Sequence, residues 1–545
     1  MKIRTKQLNY LWEVSRGQRR RILLTCLTGI VGVVVSLAFI YTSKLVIDIA
    51  TGSAAGSLSL MAAITVALVL VQLACSAVDT WLSTRMQVES GNAMRHRLFD
   101  RLIRSRWNEL ERFHTGDVVN RVEQDTTNII TLLTSTIPSA IVTLIQLVAA
   151  FAFFFVLDKV LPLIVVAIIP LFVLGSRFYM RRMRRYTQEI RRSDSDIQAV
   201  IQEGLQHRTV IKTLEQGERH LDKLDDLQEA LRTQVFDRTR FSLSARMLAG
   251  LAFSGGYLTA FLWGAVRLST DSITFGTMTA FLQLVGRLQR PALDLSRLLP
   301  SLVNALTAVD RLLELEELPA ETSGDTCLFP ATPIIYIDNV SFGYSADATP
   351  VLSRLTARFP AGSRTAVLGE TGAGKTTLIR LLLALIVPDE GSITLTDTQT
   401  GAVMPASPQT RANFVYVPQG NTLFSGTIHD NLLMGKSDAT DDEMRAALHT
   451  ACADFVLDMP LGIDTILSEQ GGGLSEGQAQ RIAIARALLR PGHILLFDEA
   501  TSALDPATER QLIDNLQQAY AGKTFIFITH HVAVAEACEQ TIYLD

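Results

Sequence analysis

The sequence predicts an α-helical transmembrane domain of six spanning helices followed by a separate α/β domain, and three observations carry that reading. Six stretches, near residues 22–47, 59–82, 133–157, 160–179, 245–266 and 273–295, are apolar and long enough to cross a hydrocarbon core of ~30 Å. Beyond residue 333, β-rich runs (RTAVLGE, NFVYVPQ, HILLFDEA, TFIFITH) alternate with helical ones, as in a largely parallel sheet. The charges divide at the same place. Residues 1–320 hold 37 Lys and Arg against 28 Asp and Glu, whereas residues 321–545 hold 13 against 26, suggesting a basic membrane-associated half and an acidic soluble one. A mean hydropathy of +0.24 is high for a soluble protein and low for one wholly embedded in lipid.

Each element follows in order. Residues 1–21 carry seven Lys/Arg and one Glu before an apolar run from Ile22 to about Ile49. That run exceeds a signal-peptide core and lacks a small-residue cleavage site, so it reads as a retained membrane helix. Short turns (ATGSAAGS, LDKV, RLSTDS) join spans one to two, three to four and five to six. About 50 and 65 polar, proline-free residues separate spans two from three and four from five. These long connections concentrate arginine (Arg95, Arg97, Arg101, Arg104, Arg106; Arg181, Arg182, Arg184, Arg185), while Lys159 and Arg267 are the basic residues of the short turns. The positive-inside rule therefore places the long connections and both termini in the cytoplasm. Folded as antiparallel helical arms of roughly 25 residues, each connection reaches ~37 Å from the membrane and needs something to bury its apolar stripes. The last helix runs on through LTAVDRLLELEELP to Pro319. Residues 1–320 thus form the transmembrane domain, 321–333 a polar linker and 334–545 the second domain. The cysteines (Cys26, Cys75, Cys327, Cys452, Cys538) show no CxxC or metal spacing and read as small hydrophobes.

The second domain opens its chemistry with Gly369-Glu370-Thr371-Gly372-Ala373-Gly374-Lys375-Thr376, a complete G-x-x-x-x-G-K-T between an apolar strand and an apolar helix. Its glycines allow backbone N–H groups to surround phosphates at a helix N-terminus. Lys375 is placed to reach β- and γ-phosphates, and the Thr376 hydroxyl to ligate Mg²⁺. HILLFDEATSALD is a buried strand ending in two acids: Asp498 suits Mg²⁺, and Glu499 suits the water that attacks a γ-phosphate.

With these residues the whole chain, from about residue 10 onward, resembles an ABC exporter half-transporter. Leu474-Ser475-Glu476-Gly477-Gln478 resembles the family's signature motif, Gln419 its Q-loop, His530 its switch histidine, and TSALD, ending in Asp505, its D-loop. Tyr344 occupies the place of the aromatic that stacks on adenine. The resemblance implies an ABC-type α/β P-loop ATPase that binds ATP and Mg²⁺. Glu499, His530 and Gln419 would be catalytic. Tyr344, Gly369 to Thr377, Ser475, Gly477, Gln478 and Asp505 would contact nucleotide, and Thr376, Gln419 and Asp498 the metal. It further implies a second half-transporter chain, homo- or heterodimeric, with ATP sandwiched between the phosphate loop of one chain and the signature helix of the other. FHTGDVVNRVEQDTTNI and VIQEGLQHRTVIKTLEQ resemble the intracellular loops that carry coupling helices, here near 107–116 and 200–215. The expected setting is multi-pass in a bacterial plasma membrane, with a small-molecule, lipid or peptide cargo and no nucleic acid. A non-transporting, ATP-gated or regulatory relative is the alternative.

Arg290, Asp294 and Arg297 recur at i, i+4 and i+7 with Arg287 near the same stripe, and Pro291 interrupts it. The stripe either lines a water-filled cavity, favouring an anionic or zwitterionic amphiphile, or lies at the cytoplasmic boundary. Three departures from the family stand out: Glu476 where glycine is usual, His531 where arginine is common, and an end at Asp545, directly after the last apolar strand. An acid in a helix's first turn suits the dipole, so Glu476 is expected to point off the phosphate and leave the signature working.

Overall fold

The computed structural model describes residues 5–544 except 297, 323, 345–349, 371, 469–471 and 531. Within helices it leaves out the side chains of 165, 166, 168–178, 180, 249, 252, 290, 292–296, 299, 300, 532 and 533. Thr371, His531 and Arg297, and the side chains of Arg290 and Asp294, therefore lie outside the described residues. The chain divides into two compact units: residues 1–100 with 115–317, and residues 101–114 with 318–545.

The first unit is helical: α1 (Thr5–Val14), α2 (Arg19–Ala50), α3 (Leu58–Ile103, its end in the second unit), then α5 (Thr115–Asn120), α6 (Thr126–Thr131), α7 (Ile137–Leu157), α8 (Leu161–Gln206), α9 (Arg208–Thr213), α10 (Gly217–Ser269), α11 (Phe275–Ser296) and α12 (Leu298–Glu316). The short α4 (Trp107–Glu111) belongs to the second unit. The six expected spans fall on α2, α3, α7, α8, α10 and α11. Among the described residues, four helices are apolar enough over 18 residues to cross a membrane. Where the second coupling helix is expected, near 200–215, α8 runs unbroken to Gln206 and a separate short helix spans Arg208–Thr213.

Packing explains why these helices associate. Ile40, Ala150, Phe154, Leu161, Ala260, Phe281 and Leu284 form a buried cluster, with Phe154 and Phe281 ring centroids 5.5 Å apart. At one end of this bundle the buried Asp48 carboxylate accepts the Gly276 N–H at 3.0 Å and pairs with Lys44 at 3.2 Å. A Cβ at Gly276 would meet the Lys44 carbonyl at 2.3 Å, so only glycine lets α2 and α11 approach this closely. Asp158 caps α8 through the Val160 and Leu161 N–H groups and accepts from the Trp263 indole at 3.2 Å. Beyond the spans, Arg311 bridges Asp117 (2.6 Å) and Asp125 (3.2 Å), and Arg121 bridges Asp117 (2.7 Å) and Glu314 (2.6 Å). The π-helical turns Arg121–Asp125 and Leu132–Thr136 lie in this stretch, where local unwinding lets short side chains re-aim.

The second unit has strands β1 (Ile334–Phe342), β2 (Leu352–Phe359), β3 (Arg364–Gly369), β4 (Glu390–Thr396), β5 (Val403–Pro405), β6 (Phe414–Val417), β7 (Gly426–Thr427), β8 (Ile466–Leu467), β9 (Ile494–Asp498), β10 (Thr524–Ile528) and β11 (Gln540–Leu544). Its helices are α13 (Lys375–Leu382), α14 (Ile428–Leu433), α15 (Asp441–Thr450), α16 (Glu476–Leu488), α17 (Pro506–Ala519) and α18 (Val532–Glu536). The expected parallel sheet is present, ordered β11-β3-β10-β9-β6. A four-stranded antiparallel sheet, β2-β1-β4-β5, accompanies it. Its cause is local: β1 and β2 have only nine residues between them, too few for a parallel crossover. One core lies between the antiparallel sheet, α13 and the parallel sheet; the other lies between the parallel sheet and α14 to α17.

The expected linker is tied down. The Arg101 guanidinium donates to the Leu318 carbonyl at 2.6 Å, the Arg106 N–H to Pro319 at 2.9 Å and the Glu321 N–H to Arg104 at 2.8 Å. Arg411 then pairs with Glu321 at 3.0 Å. Residues 101–114 are therefore stitched to the start of the α/β unit.

Candidate nucleotide site

The site follows from the strand order. In a parallel sheet the carboxyl ends of adjacent strands open onto one crevice. The order β3-β10-β9-β6 lines up Gly369, His530, Asp498 with Glu499, and Gln419 along that edge. Four segments spread over about 160 residues of sequence thus meet.

The phosphate loop has the required backbone. Gly372 and Gly374 have φ of 96° and 90°, and Gly374 caps α13 in the left-handed region. A Cβ at Gly369 would lie 2.7 Å from the Leu544 carbonyl oxygen, so β11 also requires glycine there. The Lys375 ammonium donates to the Gly369 carbonyl at 2.8 Å, closing the loop on itself. Thr376 is exposed at the helix start; Thr377 is buried, and its hydroxyl lies 3.3 Å from the Tyr344 phenol. Glu370 and Ala373 complete the loop, the Ala373 N–H donating to the Glu370 carbonyl at 3.1 Å.

Glu499 is the convergence point. It is a non-glycine residue at φ 47°, a costly conformation for an L-residue, held by its N–H donating to the Ile528 carbonyl at 2.9 Å. Its carboxylate accepts from the Gln419 amide at 2.8 Å and faces Lys375 at 3.7 Å and His530 Nδ1 at 3.6 Å. Asp498 is buried and accepts from the Tyr416 hydroxyl at 3.2 Å. Burial pushes its carboxyl above the ordinary range; the Tyr416 hydrogen bond opposes this, neighbouring Glu499 adds to it, and Lys375 opposes it. A desolvated carboxylate at the strand end is an oxygen donor of the kind Mg²⁺ takes, and the exposed Thr376 hydroxyl at the start of α13 is another.

The sign gives a prediction. A carboxyl pKa raised by folding means the folded chain binds that proton more tightly, so the charge costs stability at neutral pH. Asp498→Asn is expected to raise the thermal midpoint of the nucleotide-free protein modestly while lowering ATPase at least ~100-fold, a deficit that added Mg²⁺ does not restore. A lowered midpoint in differential scanning fluorimetry would contradict the desolvation account.

The signature residues form a second cluster. The Ser475 side chain accepts the Gln478 N–H at 3.2 Å and the Gln478 amide oxygen accepts the Ser475 N–H at 2.9 Å, a reciprocal cap on α16. Gln480 reaches Ser502 and the Ala503 N–H, joining α16 to the 502–505 segment. Asp505 caps α17, accepting from the Ala507 and Thr508 N–H groups at 3.1 Å each; its hydrogen bonds, that to the Thr508 hydroxyl first, hold its carboxyl below the usual range. Arg481 donates to the Cys452 carbonyl at 2.6 Å and lies over the Phe455 ring, fixing α16 to the α15 side.

Two contributors have no signal in the sequence. Arg380, on α13, donates to the Tyr344 hydroxyl at 2.8 Å and to Glu111 of α4 at 2.8 Å. Tyr416, an unremarked strand residue, holds Asp498. Tyr344 is half exposed and packs edge-on against Phe342 at 5.1 Å, with the Arg380 guanidinium 5.9 Å from its ring centroid. Arg380→Ala is expected to raise KM for ATP several-fold with kcat within about twofold, because it releases the phenol without touching the phosphate residues. Steady-state ATPase kinetics check this.

Comparison with known proteins fits this geometry. Residues 22–292 match the family described as ABC transporter transmembrane region, and residues 352–502 match ABC transporter. A Sinorhizobium fredii ABC transporter ATP-binding protein, y4gM, is 30% identical over 495 residues, 89% of this chain and 83% of that protein. The ATP-dependent lipid A-core flippase of Bordetella avium is 28% identical over 83% of this chain and 77% of its own length. The cyclolysin secretion/processing protein CyaB of Bordetella pertussis is 30% identical over 85% of this chain but only 64% of its own length. A bacterial Atm1-family ABC exporter solved with ATP bound superposes with TM-score 0.76 at 26% identity, covering 97% of this chain and 93% of the other. The chain belongs to the ABC transporter family: it is an integral membrane half-transporter that joins a transmembrane domain to an ATP-binding ATPase domain, pairs with another ABC chain and drives export by ATP hydrolysis.

Proposed function

We propose that this chain works as a homodimeric, Mg²⁺-dependent exporter of an amphiphile, oriented with both termini and the ATPase unit in the cytoplasm. The observation that carries the catalytic assignment is the convergence of Lys375, Gln419 and His530 on the Glu499 carboxylate. That carboxylate stands beside cationic and hydrogen-bonding groups suited to a γ-phosphate. With ATP in place, Lys375 turns to the phosphates and Glu499 accepts a proton from the water that attacks the γ-phosphorus, as ADP leaves. His530 and Gln419 orient that water and the γ-phosphate oxygens. Thr376, Gln419 and Asp498 would hold Mg²⁺, which would supply charge neutralisation at the phosphate oxygens. Tyr344 stacks on the adenine, the N–H groups of Glu370 to Thr377 bind phosphate, and Ser475, Gly477, Gln478 and Asp505 face the partner's nucleotide.

The domain limits 1–320, 321–333 and 334–545 are proposed on the same footing. The apolar side chains left exposed near α9 (Ile201, Leu205, Val210, Leu214) support docking of that tip on the partner chain. Arginine-rich long connections support the cytoplasmic orientation in a bacterial inner membrane. An amphiphilic cargo is supported by the apolar bundle and by relatives whose names specify a fatty acid transporter and a lipid A-core flippase.

The purified chain alone, in lipid nanodiscs, is expected to hydrolyse ATP, to stop on chelation by EDTA and to be stimulated by long-chain anionic amphiphiles. Inactivity of the chain alone would overturn the homodimer. Stimulation by cationic amphiphiles only would overturn the cargo class.

A further inference from the structure

The surface of α8 and α10 just beyond the spanning segments carries a charge pattern that nucleotide chemistry and coupling do not use. Taking 100° per residue, Arg181, Arg184, Arg185, Arg191 and Arg192 fall within an arc of roughly 120° on α8. All five are exposed. On α10, Arg240 and Arg246 are exposed as well. The pairing of the two antiparallel helices sets Arg181, Arg184 and Arg185 level with the stretch of α10 that carries Arg240: Tyr179 stacks on Phe241 at 5.5 Å, Tyr186 packs on Phe241 at 5.8 Å, and Ser193 donates to Gln234 at 3.1 Å. Arg182 covers the Phe241 ring at 5.3 Å.

These aromatics mark a depth. Tyrosines at the end of an apolar span sit at the headgroup level, with the ring in the acyl boundary and the hydroxyl toward water. The headgroup layer adds only ~5–8 Å beyond the hydrocarbon. Arg181, Arg184 and Arg185 span about 6 Å along the helix at 1.5 Å per residue, which matches that layer. Arg191 and Arg192 lie ~10 Å further on, about one Debye length away, and add to the field. Among the described residues, Asp194 and Asp196 are exposed beside Arg191 and Arg192 and offset their field, while few acids face the rest of the patch. Glu189 pairs with Arg185 at 2.9 Å, and Asp237 lies 3.9 Å from Arg240. At the headgroup level five arginines (Arg181, Arg182, Arg184, Arg185, Arg240) thus meet two carboxylates.

We propose that this patch is a binding site for the anionic phosphodiester headgroups of the lipid leaflet that surrounds the transporter, with Arg181, Arg184 and Arg185 making the direct contacts. A guanidinium fork matches two phosphate oxygens, and topology alone would be served equally by lysine. The site commits the chain to an annular anionic lipid, distinct from exported cargo. Four or more arginines and lysines beside a span give this selectivity in general.

The test uses the full-length protein in nanodiscs whose two leaflets carry the same mixture of phosphatidylglycerol and phosphatidylcholine, so the result does not depend on orientation. Association of spin-labelled phosphatidylglycerol relative to spin-labelled phosphatidylcholine is measured by electron paramagnetic resonance. The wild type is expected to favour phosphatidylglycerol by ~5-fold or more, falling toward parity in 0.5 M salt. Arg181→Gln/Arg184→Gln/Arg185→Gln is expected to reduce the preference toward parity while the protein still dimerises and hydrolyses ATP. A control removing equal charge deeper in the cytoplasm, Arg219→Gln/Lys223→Gln/Arg232→Gln, is expected to keep it. No preference in the wild type, or equal loss in both variants, overturns the site. Loss of the dimer by the first variant with lipid preference unchanged assigns the face to the partner chain instead, which also overturns it.

Discussion

Replacing Glu499 by glutamine is expected to slow ATP hydrolysis by ~10²–10⁴-fold while leaving ATP binding intact. Glutamine keeps the side-chain shape and can still bond the Gln419 amide, so the crevice is preserved. It cannot accept the proton of the attacking water, and that is the function lost. The strained backbone at φ 47° persists, because the Ile528 carbonyl holds it, not the carboxylate. Removing the charge also frees Lys375, which faces the carboxylate at 3.7 Å, to engage phosphate. The variant should therefore accumulate as the ATP-bound dimer. ATPase rates together with retention of radiolabelled ATP on the purified dimer test this; equal turnover in variant and wild type would remove Glu499 from the catalytic assignment.

Ser475→Arg is expected to abolish ATPase, whereas Glu476→Gly is expected to change it by no more than several-fold. The contrast rests on what each residue does at the start of α16. Ser475 caps the helix and is proposed to face the partner's phosphate; losing such a cap costs about 1 kcal/mol before the bulk and charge of arginine are counted. Glu476 is exposed, begins the helix, and is not among the described residues with left-handed backbone. Its charge sits favourably at a helix N-terminus. The residue that requires glycine is the next one. A Cβ at Gly477 would lie 2.7 Å from the Ala503 carbonyl oxygen, because α16 and the 502–505 segment pack in contact there. A large gain of activity in Glu476→Gly would show instead that the carboxylate weakens phosphate binding. Both variants are read against thermal midpoints, which separate misfolding from a site effect.

Much of this was legible in the residue order, for a physical reason in each case. The spans were readable because lipid demands about 20 apolar residues in a row, and α2, α3 and α7 supply them. The phosphate loop was readable because two left-handed glycines and a lysine must stand at fixed spacing. Strand β9 was foreseen in HILLFDEA and spans Ile494–Asp498, since a strand buried on both faces reads as a continuous apolar run. The antiparallel sheet was not foreseen, because β2, β4 and β5 are half exposed and carry no run comparable to HILLFDEA. Arg380 and Glu111 were invisible for a different reason: 269 residues separate them, and neither belongs to a pattern.

By itself, then, the sequence determined the class of the chain, an apolar helical transmembrane domain followed by an α/β ATPase domain, and singled out the residues proposed for phosphate chemistry, because those patterns depend on local composition and short spacings. Only the tertiary structure decided which partners those residues meet. It showed that Glu499 is drawn to Gln419, Lys375 and His530, that Gly477 and not residue 476 is sterically committed, and that residues 101–114 are hydrogen-bonded into the ATPase unit. Each of these depends on strand order and long-range packing, and a register of neighbours along the chain does not encode distances between parts that only folding brings together.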